Sequence, residues 1–326
     1  PGETNNLHLQ HPDIVARLTS ELSQTVDAQG RRAPGIEPGG GAVDRSTLSG
    51  KVMCGYQGWF NCEGDGAHLG WTHWARRHHR AIAPGNVTVD LWPDVSELDP
   101  DERYVTGFQH ADGRAAEVFS SAHRKTVLRH FAWMRKYGID GAFLQRFAVS
   151  LHGPASLQHN NTVLSHVRGG AQQSARAYAV MYDLSGLRSG QVNQVRDDWS
   201  KLQSKQHVTE DAMYLRHQGK PLVAVWGVGF SDDRDYSLDE CLDLVTWLKS
   251  QGCAVMLGVP SFWREQIRDA VDDPQLHKVI QAADVVSPWS VGRYRSPAEA
   301  KRHAAKVWQP DRAWCALHQV EFLPVV

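Results

Sequence analysis

The pattern of apolar and polar positions changes character at about residue 50. From there onward, short apolar runs alternate with segments in which apolar residues recur every three or four positions. This alternation is typical of βα units, whose parallel strands are covered by helices and therefore read as continuous apolar runs. The predicted strands span residues 52–60, 87–92, 141–147, 177–184, 222–228, 254–259, 285–289 and 322–326.

Three of the intervening segments have the clearest helical periodicity. Their apolar positions are Val127, Leu128, Phe131 and Met134 before Gly138; Val192, Val195, Trp199 and Leu202; and Leu238, Leu242, Val245 and Leu248 before Gly252. The polar connection 94–121 is different, because short runs at 105–109 and 117–120 predict a β-hairpin inserted at one end of the barrel.

Eight candidate strands and their helices predict an α/β protein of the (β/α)8 TIM-barrel type over residues 50–326. The last predicted strand reaches Val326 without a following helix, so the barrel is expected to be incomplete at its C-terminus. We expect its open edge to make the chain poorly soluble. The rival doubly wound fold is disfavoured, because residues 55–60 (GYQGWF) lack the G-x-G-x-x-G sequence that binds dinucleotides, and no phosphate-binding P-loop occurs.

The residues before the barrel divide into two parts. Segment 1–30 predicts a short amphipathic helix, and segment 31–49 is rich in glycine and proline, which is typical of a flexible linker. The apolar stripe of the helix consists of Ile14, Leu18, Leu22 and Val26. A lone helix of this length cannot bury such a stripe, so we expect it to dock on a larger domain and the chain to be a piece of a longer polypeptide.

Composition excludes several classes of protein. With 41% hydrophobic and 22% charged residues the chain can bury a core, and no apolar run approaches the ~20 residues that a transmembrane helix needs. The 35 basic and 36 acidic residues leave a net charge of -1, which offers no general attraction for nucleic acid or anionic lipid. Twelve tryptophans suit either a large core or a site that stacks on flat apolar faces.

The cysteines and histidines do not form a recognisable metal site. The five cysteines include no C-x-x-C pair, and buried free thiols are the favoured interpretation, with one bridge between Cys54 and Cys62 as the alternative. The seventeen histidines include no H-E-x-x-H sequence, and the acidic loop 63–66 lacks the other ligands of a calcium-binding EF-hand. No metal and no cofactor is therefore predicted.

Candidate binding residues lie where the predicted strands end. Binding side chains of a TIM barrel project from the carboxyl ends of its strands, and here nearly every end carries an aromatic residue beside a polar one. Sugars present an apolar C–H face and a rim of hydroxyl groups, so flat rings together with carboxylates and amides suit a saccharide. The predicted substrate-binding residues are Tyr56, Trp59, His73, Trp74, Asp90, Trp92, Gln145, Arg146, Tyr182, Asp183, Trp226, Trp289 and Arg293.

Each of these residues also has a structural interpretation. Large aromatic rings commonly pack beneath loops, and the carboxylates of Asp90 and Asp183 equally suit turns or helix caps. Arg146 directly follows apolar strand residues, where an unpaired charge is costly. It should therefore hold a carboxylate or bind an anionic ligand.

Several motifs resemble those of the glycoside hydrolase family 71/99-like group, relatives of the endo-α-mannosidases. They are GYQGWF (55–60), WTHW (71–74), DLWPD (90–94), GAFLQRF (141–147), VWGVGF (225–230), SPWSVGR (287–293) and FLPVV (322–326). The resemblance covers roughly residues 50–326. It implies a (β/α)8 barrel that hydrolyses or binds glycans without a metal, and a location outside the cytoplasm, either periplasmic or secreted.

The resemblance also implies that something is missing from the chain. Family 99 enzymes carry two glutamates three residues apart, in a segment after the last barrel strand that resembles Asn-Glu-aromatic-His-Glu-Gly. This sequence contains no such segment, so the carboxylate pair of a glycosidase is expected beyond Val326 and the chain alone is expected to be inactive. Asp183 is the best remaining carboxylate, and no catalytic acid or nucleophile is assigned.

Residues 1–30 resemble a different group, the closing segment of type I sulfatases. The residues that carry this resemblance are PGETNNL (1–7) and HPDIVARL (11–18). It implies an upstream sulfatase domain in the same polypeptide and a sulfated polysaccharide as substrate, with Arg146 and Arg293 as readers of anionic groups.

Three functions follow as hypotheses. The first is a glycan-processing glycoside hydrolase that acts on an oligo- or polysaccharide. The second is a non-catalytic glycan-binding module on the same barrel. The third, a metal-dependent amidohydrolase that uses the many histidines, predicts stoichiometric zinc.

Overall fold

The computed structural model describes residues 41–326, so the predicted terminal helix and most of the predicted linker lie outside the described part of the chain. The strands are β1 (Met53–Tyr56), β2 (Tyr104–Gln109), β3 (Ala115–Val118), β4 (Gly141–Phe147), β5 (Ala177–Asp183), β6 (Arg216–His217), β7 (Lys220–Trp226), β8 (Ala254–Val259), β9 (Val285–Pro288) and β10 (Glu321–Phe322). The helices are α1 (Arg124–Lys136), α2 (Pro154–Ser174), α3 (Asn193–Ser204), α4 (Leu238–Ser250), α5 (Gln275–Ala282), α6 (Pro297–His303) and α7 (Gln309–His318).

The chain divides into two compact units. One, which we call the barrel unit, comprises Val43–Gly58 and Ile139–Val326. The other contains Trp59–Gly138 and is called the inserted unit, because it lies in the chain between β1 and β4. The insertion is therefore longer than the predicted 94–121 hairpin, since it also includes α1.

Seven parallel strands form the sheet of the barrel unit, in the order β1-β4-β5-β7-β8-β9-β10. The sheet curls into a half-barrel, and β6 is a short antiparallel strand beside β7. Because each strand pairs with the next barrel strand along the chain, this is the order of a (β/α)8 barrel that is incomplete. The predicted fold class is confirmed.

Helix boundaries in the barrel unit follow local chemistry. α4 begins with a capping box, in which the hydroxyl of Ser237 accepts from the backbone N–H of Glu240 and the Glu240 side chain accepts from the N–H of Ser237. It ends before Gly252, whose φ of 79° is the left-handed conformation that glycine adopts without strain. α2 contacts β4 and β5, and α4 contacts β8, so helices cover the outer face of the sheet.

A side-chain hydrogen bond links the segment before β1 to β10. The hydroxyl of Ser49, four residues before β1, donates to Oε2 of Glu321 in β10 at 3.2 Å. Just after β10, the backbone N–H groups of Leu323 and Val325 donate to the carbonyl oxygens of Val286 and Pro288. The backbone of the intervening residue, 324, therefore faces away from β9, at the open edge of the sheet. That residue is Pro324, which has no N–H to offer, so the edge is poorly suited to pairing with another strand.

The inserted unit contains the predicted hairpin, since β2 and β3 pair in antiparallel fashion. The predicted strand 87–92 is wrong. This segment is irregular, and Val87, Val89 and Trp92 pack against a small core built on Trp71 and Trp74. Its apolar residues serve the core of the insertion and not the barrel sheet.

The five cysteines are free thiols, so no bridge links Cys54 and Cys62. None of the helices formed by residues 41–326 is long and apolar enough to cross a lipid bilayer.

Candidate functional site at the carboxyl ends of the strands

Neighbouring residues of a strand project to opposite faces of the sheet, and this alternation sorts the predicted site residues. In β4, the side chain of Arg146 reaches Asp198 on α3 and Asn161 on α2. Its face is therefore the one that the helices cover. Gln145, one position earlier, projects to the opposite, concave face of the half-barrel. In β5, Tyr182 pairs in register with Arg146 and so lies on the helix-covered face, whereas Asp183, the next residue, projects to the concave face.

The concave face carries four of the predicted residues, namely Gln145, Asp183, Trp226 and Trp289. Asp183 and Trp226 are register partners in β5 and β7, and Trp226 pairs in turn with Gly258 of β8. The Trp226 ring is 5.2 Å from the ring of Trp289, at an interplanar angle of 76°. The two indoles form a corner at the carboxyl ends of β7 and β9, and the Asp183 carboxylate lies beside Trp226 on the neighbouring strand β5.

Gly258 makes room for this corner. A Cβ atom at position 258 would overlap the ring of Trp226, so only glycine lets the indole lie against β8. Trp289, which directly follows β9, is 39% exposed and presents its ring to solvent. Asp183 is 6% exposed, and its Oδ1 accepts from the N–H of Ser185 at 2.8 Å.

Gln145 lies deeper on the same face. Its Nε2 is 3.5 Å from Sδ of Met181, and a Cβ at Gly55 would lie 3.5 Å from the same Nε2. Oε1 is buried without a hydrogen-bond partner among the described residues. Gln145 is thus held between β1 and β5 with an unsatisfied acceptor on the concave side.

Arg146 and Tyr182, two of the predicted substrate-binding residues, belong to a buried ion-pair network on the helix-covered face of the sheet. Nε and Nη2 of Arg146 donate to the two carboxylate oxygens of Asp198, at 3.1 and 2.7 Å. The hydroxyl of Tyr182 donates to Oδ2 of the same residue at 2.7 Å. Burial, and then the negative charge of Asp198, raise the pKa of Tyr182 well above its usual range. Arg146 therefore holds a carboxylate, the first of its two predicted roles.

Tyr56, another predicted binding residue, is also directed away from the concave face. It pairs in register with Leu144, so it shares the helix-covered face of the sheet with Arg146. Its ring is buried and lies beside Gly58, next to Val163 of α2. Burial raises the pKa of the Tyr56 hydroxyl above its usual range.

Arg293 lies in the loop after β9 and is exposed. Its guanidinium pairs with Asp269, whose carboxylate also accepts from the backbone N–H groups of Ser261 and Phe262, at 3.0 and 3.2 Å. Asp269 thus ties the loop after β9 to the loop after β8, and Arg293 has an internal partner.

The remaining predicted residues lie in the inserted unit. Trp74 is buried, and its Nε1 donates to the carbonyl oxygen of Phe119 at 2.9 Å. Nε1 of Trp92 donates to the carbonyl oxygen of Glu117 at 2.9 Å. Both indoles therefore contribute hydrogen bonds to the structure of the inserted unit.

Trp59, His73 and Asp90 are the other three residues of this unit. The rings of Trp59 and His73 have their centroids 5.2 Å apart, and His73 has a φ of 62°. Asp90 is exposed. It follows an irregular segment and not a barrel strand, so the reason for which it was predicted no longer applies.

Four acidic residues of the inserted unit, Asp65, Asp99, Asp101 and Glu102, have partners within the protein. Asp65, in the loop considered for calcium, accepts from the side chains of Asn61 and Ser120 and from the N–H groups of Cys62 and Ala67. Its oxygens organise the loop and do not suit a calcium ligand set. Among residues 41–326, the only cluster of three or more metal-ligating side chains is Asp99, Asp101 and Glu102. Lys125 and Arg129 bind this cluster, at 2.6 Å from Asp99 and Glu102 respectively.

Sequence reasoning missed the loop after β7. The ring of Phe230 is 5.8 Å from Trp226, and the guanidinium of Arg234 lies 4.8 Å from the centre of the Phe230 ring. Nη1 of Arg234 donates to Ser185 and to the hydroxyl of Tyr236, and Asp232 binds its other nitrogens. A cavity of about 340 Å³ adjoins these residues. The signals for them in the sequence were the VWGVGF motif (225–230), which includes Phe230, and the polar run 231–235 that follows the buried strand.

Comparisons with known proteins support the fold. No protein-family model and no curated protein matches the sequence. Among solved structures, the chain is similar to a GH99 endo-α-mannosidase from Bacteroides thetaiotaomicron, with a TM-score of 0.52 and 15% identity over 85% of this chain and 71% of that chain. A second structure, of the GH99 endo-α-mannosidase from that organism in complex with bis-tris-propane, has a TM-score of 0.55 and 12% identity over 86% of this chain and 69% of that one. At such identities the similarity concerns the fold alone.

Proposed function

We propose that this protein is a glycan-processing barrel of the glycoside hydrolase type, which binds a saccharide at the carboxyl ends of its strands. The observation that carries the proposal is the corner formed by Trp226 and Trp289 beside Asp183. A pyranose ring stacks its C–H face on an indole and directs its hydroxyl groups at the nearby carboxylate and amide. The similarity in fold to two endo-α-mannosidase structures supports the same class of ligand.

The substrate that we propose is a polysaccharide, and we extend the proposal to a sulfated one. The extension rests on the sulfatase-like sequence of residues 1–30. Of the two arginines considered for anionic groups, only Arg293 is exposed, since Arg146 is buried against Asp198. A sulfated ligand would therefore compete with Asp269 for Arg293.

A binding experiment tests the proposal. Wild-type protein and the variants Trp226→Ala and Trp289→Ala are titrated calorimetrically with α-mannan oligosaccharides, with sulfated oligosaccharides and with an unrelated β-glucan. We expect either substitution to weaken binding by about tenfold or more, because a stacking indole at the centre of a site dominates its affinity. Trp247→Ala is the matched control, since Trp247 lies on α4 at the outer side of the sheet. Equal binding by all three variants, or no binding of any glycan by the wild type, would refute the proposal.

The alternative function is a non-catalytic glycan-binding module. The observation that favours it is that Asp183 is the carboxylate beside Trp226, while the sequence lacks the segment of paired glutamates that the resemblance implies. Release of reducing ends from the bound oligosaccharide distinguishes the two functions. Hydrolysis that is lost in Asp183→Asn supports the enzyme, whereas tight binding without any hydrolysis by wild type supports the module.

A further inference from the structure

A π-helical turn, Ala304–Trp308, separates α6 from α7. The backbone N–H of Gln309 donates to the carbonyl oxygen of Ala304, five residues earlier. The next residue is Pro310, which has no N–H and whose ring clashes with the carbonyl four residues before it. The proline therefore interrupts the ordinary hydrogen-bond ladder and favours the wider turn. Turns of this kind are frequent at functional sites.

The wider turn changes which side chains meet. Residues five apart on a regular α-helix project about 140° from one another. Here the rings of His303 and Trp308 have centroids 5.3 Å apart and are perpendicular. Tyr294, in the loop after β9, packs against both rings at 5.6 and 6.0 Å.

Trp308 also makes a directed contact with the loop after β9. Its Nε1 donates to the hydroxyl oxygen of Ser290 at 3.0 Å, and Ser290 is completely buried. The carbonyl oxygen of Ser290 accepts from the N–H of Arg293 at 3.1 Å, which closes the turn. Ser290 directly follows Trp289, so this anchor lies one residue from the exposed ring at the concave corner.

We propose that Trp308 is a positioning residue, which fixes the orientation of Trp289 through Ser290. The inference rests on the proposed function, since Trp289 is one of the two rings offered to the saccharide. A ring that is already held in its binding orientation loses less conformational freedom when a ligand stacks on it. The π-helical turn is what brings the Trp308 indole N–H to Ser290, because it determines where residue 308 projects.

Fluorine NMR of protein labelled with 5-fluorotryptophan tests the positioning without any ligand. The Trp289 resonance is assigned as the one of twelve that disappears in Trp289→Phe. Trp308→Phe removes the N–H donor and keeps an aromatic ring, while Ser290→Ala removes only the acceptor. We expect both variants to shift or broaden the Trp289 resonance, and Trp247→Phe to leave it unchanged. An unaltered Trp289 resonance in both Trp308→Phe and Ser290→Ala would overturn the proposal, and Ser290→Ala keeps the test decisive if Trp308→Phe does not fold.

Titration with the α-mannan oligosaccharide that wild type binds best gives the second measurement. We expect Trp308→Phe and Ser290→Ala each to weaken binding about three- to tenfold, the range for loss of one hydrogen bond, and the double variant to be no weaker than either. If the losses of affinity in the two single variants add up in the double variant, the two side chains do not act through the same Trp308–Ser290 hydrogen bond, which would contradict the proposal. If the wild type binds no glycan while the Trp289 resonance still responds, the proposed function fails and the positioning of Trp289 stands.

Discussion

Arg146 and Asp198 form a buried bidentate ion pair, in which Nε and Nη2 of Arg146 donate to separate carboxylate oxygens of Asp198 at 3.1 and 2.7 Å. Arg146 is 1% exposed, and Tyr182 binds the same carboxylate. The network joins β4 and β5 to α3 behind the proposed binding corner.

Removal of one partner of this pair should destabilise the barrel unit strongly. Asp198→Asn leaves the guanidinium buried without its counter-charge, a change that costs about 3–5 kcal/mol. Urea unfolding followed by tryptophan fluorescence measures the effect. Glu210→Gln is the control, since Glu210 and His207 form an exposed pair, and its unfolding midpoint should equal that of the wild type. Equal midpoints for Asp198→Asn and the control would show that the pair is not a structural support.

Gly258→Ala should disturb the concave corner. The added Cβ meets the Trp226 ring, so the indole must move or the strand must shift, at a cost of about 1–3 kcal/mol. We expect a lower midpoint of thermal unfolding and a loss of glycan affinity comparable to that of Trp226→Ala. Gly41→Ala introduces the same methyl group where no atom of the described residues lies within 4 Å of the new Cβ, and it should leave both quantities unchanged. Wild-type affinity in Gly258→Ala would argue against stacking on Trp226.

Asp311 should make stability depend on pH. It is buried at the start of α7, accepts from Nε of Arg264 at 2.9 Å, and has a pKa that burial raises from 3.8 to about 6. The folded state therefore binds the proton of Asp311 more tightly than the unfolded state does. The stability that comes from this tighter proton binding is fully present below about pH 4 and is lost as pH rises through about 6.

The free energy of unfolding of wild type relative to Asp311→Asn should accordingly fall by roughly 1–3 kcal/mol between pH 4 and pH 7. Asparagine resembles the protonated carboxyl and does not titrate, so it removes the dependence. Urea titrations of both proteins across this range give the difference directly. Parallel profiles would mean that Asp311 does not change its proton affinity on folding.

The thiols should be slow to react in the native protein. Burial raises the pKa of Cys54 and Cys253 to about 11, and that of Cys241 and Cys315 to about 12. At pH 8 few thiolates are present, and thiolate is the reactive form. A chromogenic disulfide reagent should therefore react slowly with the native protein. After the protein is denatured in the absence of reductant, it should titrate five thiols per chain. A count of three would indicate a disulfide.

The repetition of strand and helix was predictable from the sequence, because parallel strands that are covered on both faces are apolar throughout. β5 and β8 are buried at every position, and both were predicted within one residue of their bounds. The failure at 87–92 has a physical cause. Its apolar residues cover the core of an insertion, and a single apolar run does not reveal which core it serves.

The site was predictable only in part. Both residues of a consecutive pair at a strand end were predicted to contact substrate, although neighbouring residues of a strand project to opposite faces. Gln145 with Arg146, and Tyr182 with Asp183, are consecutive pairs of which only one member can face the concave side. Which member does so depends on register and on the position of Asp198, which is more than fifty residues from Arg146 along the chain. The Trp308 contact with Ser290 was not predicted, because it arises from a helical turn of unusual width.

The bond between Ser49 and Glu321 joins groups 272 residues apart and connects the regions of the first and last strands of the sheet. During synthesis on the ribosome, every strand from β1 to β9 emerges before this partner exists. Until residue 321 has left the exit tunnel, Ser49 lacks its partner Glu321. Contacts of such separation in sequence slow folding, so we expect the addition of β10 to the sheet to be a late step.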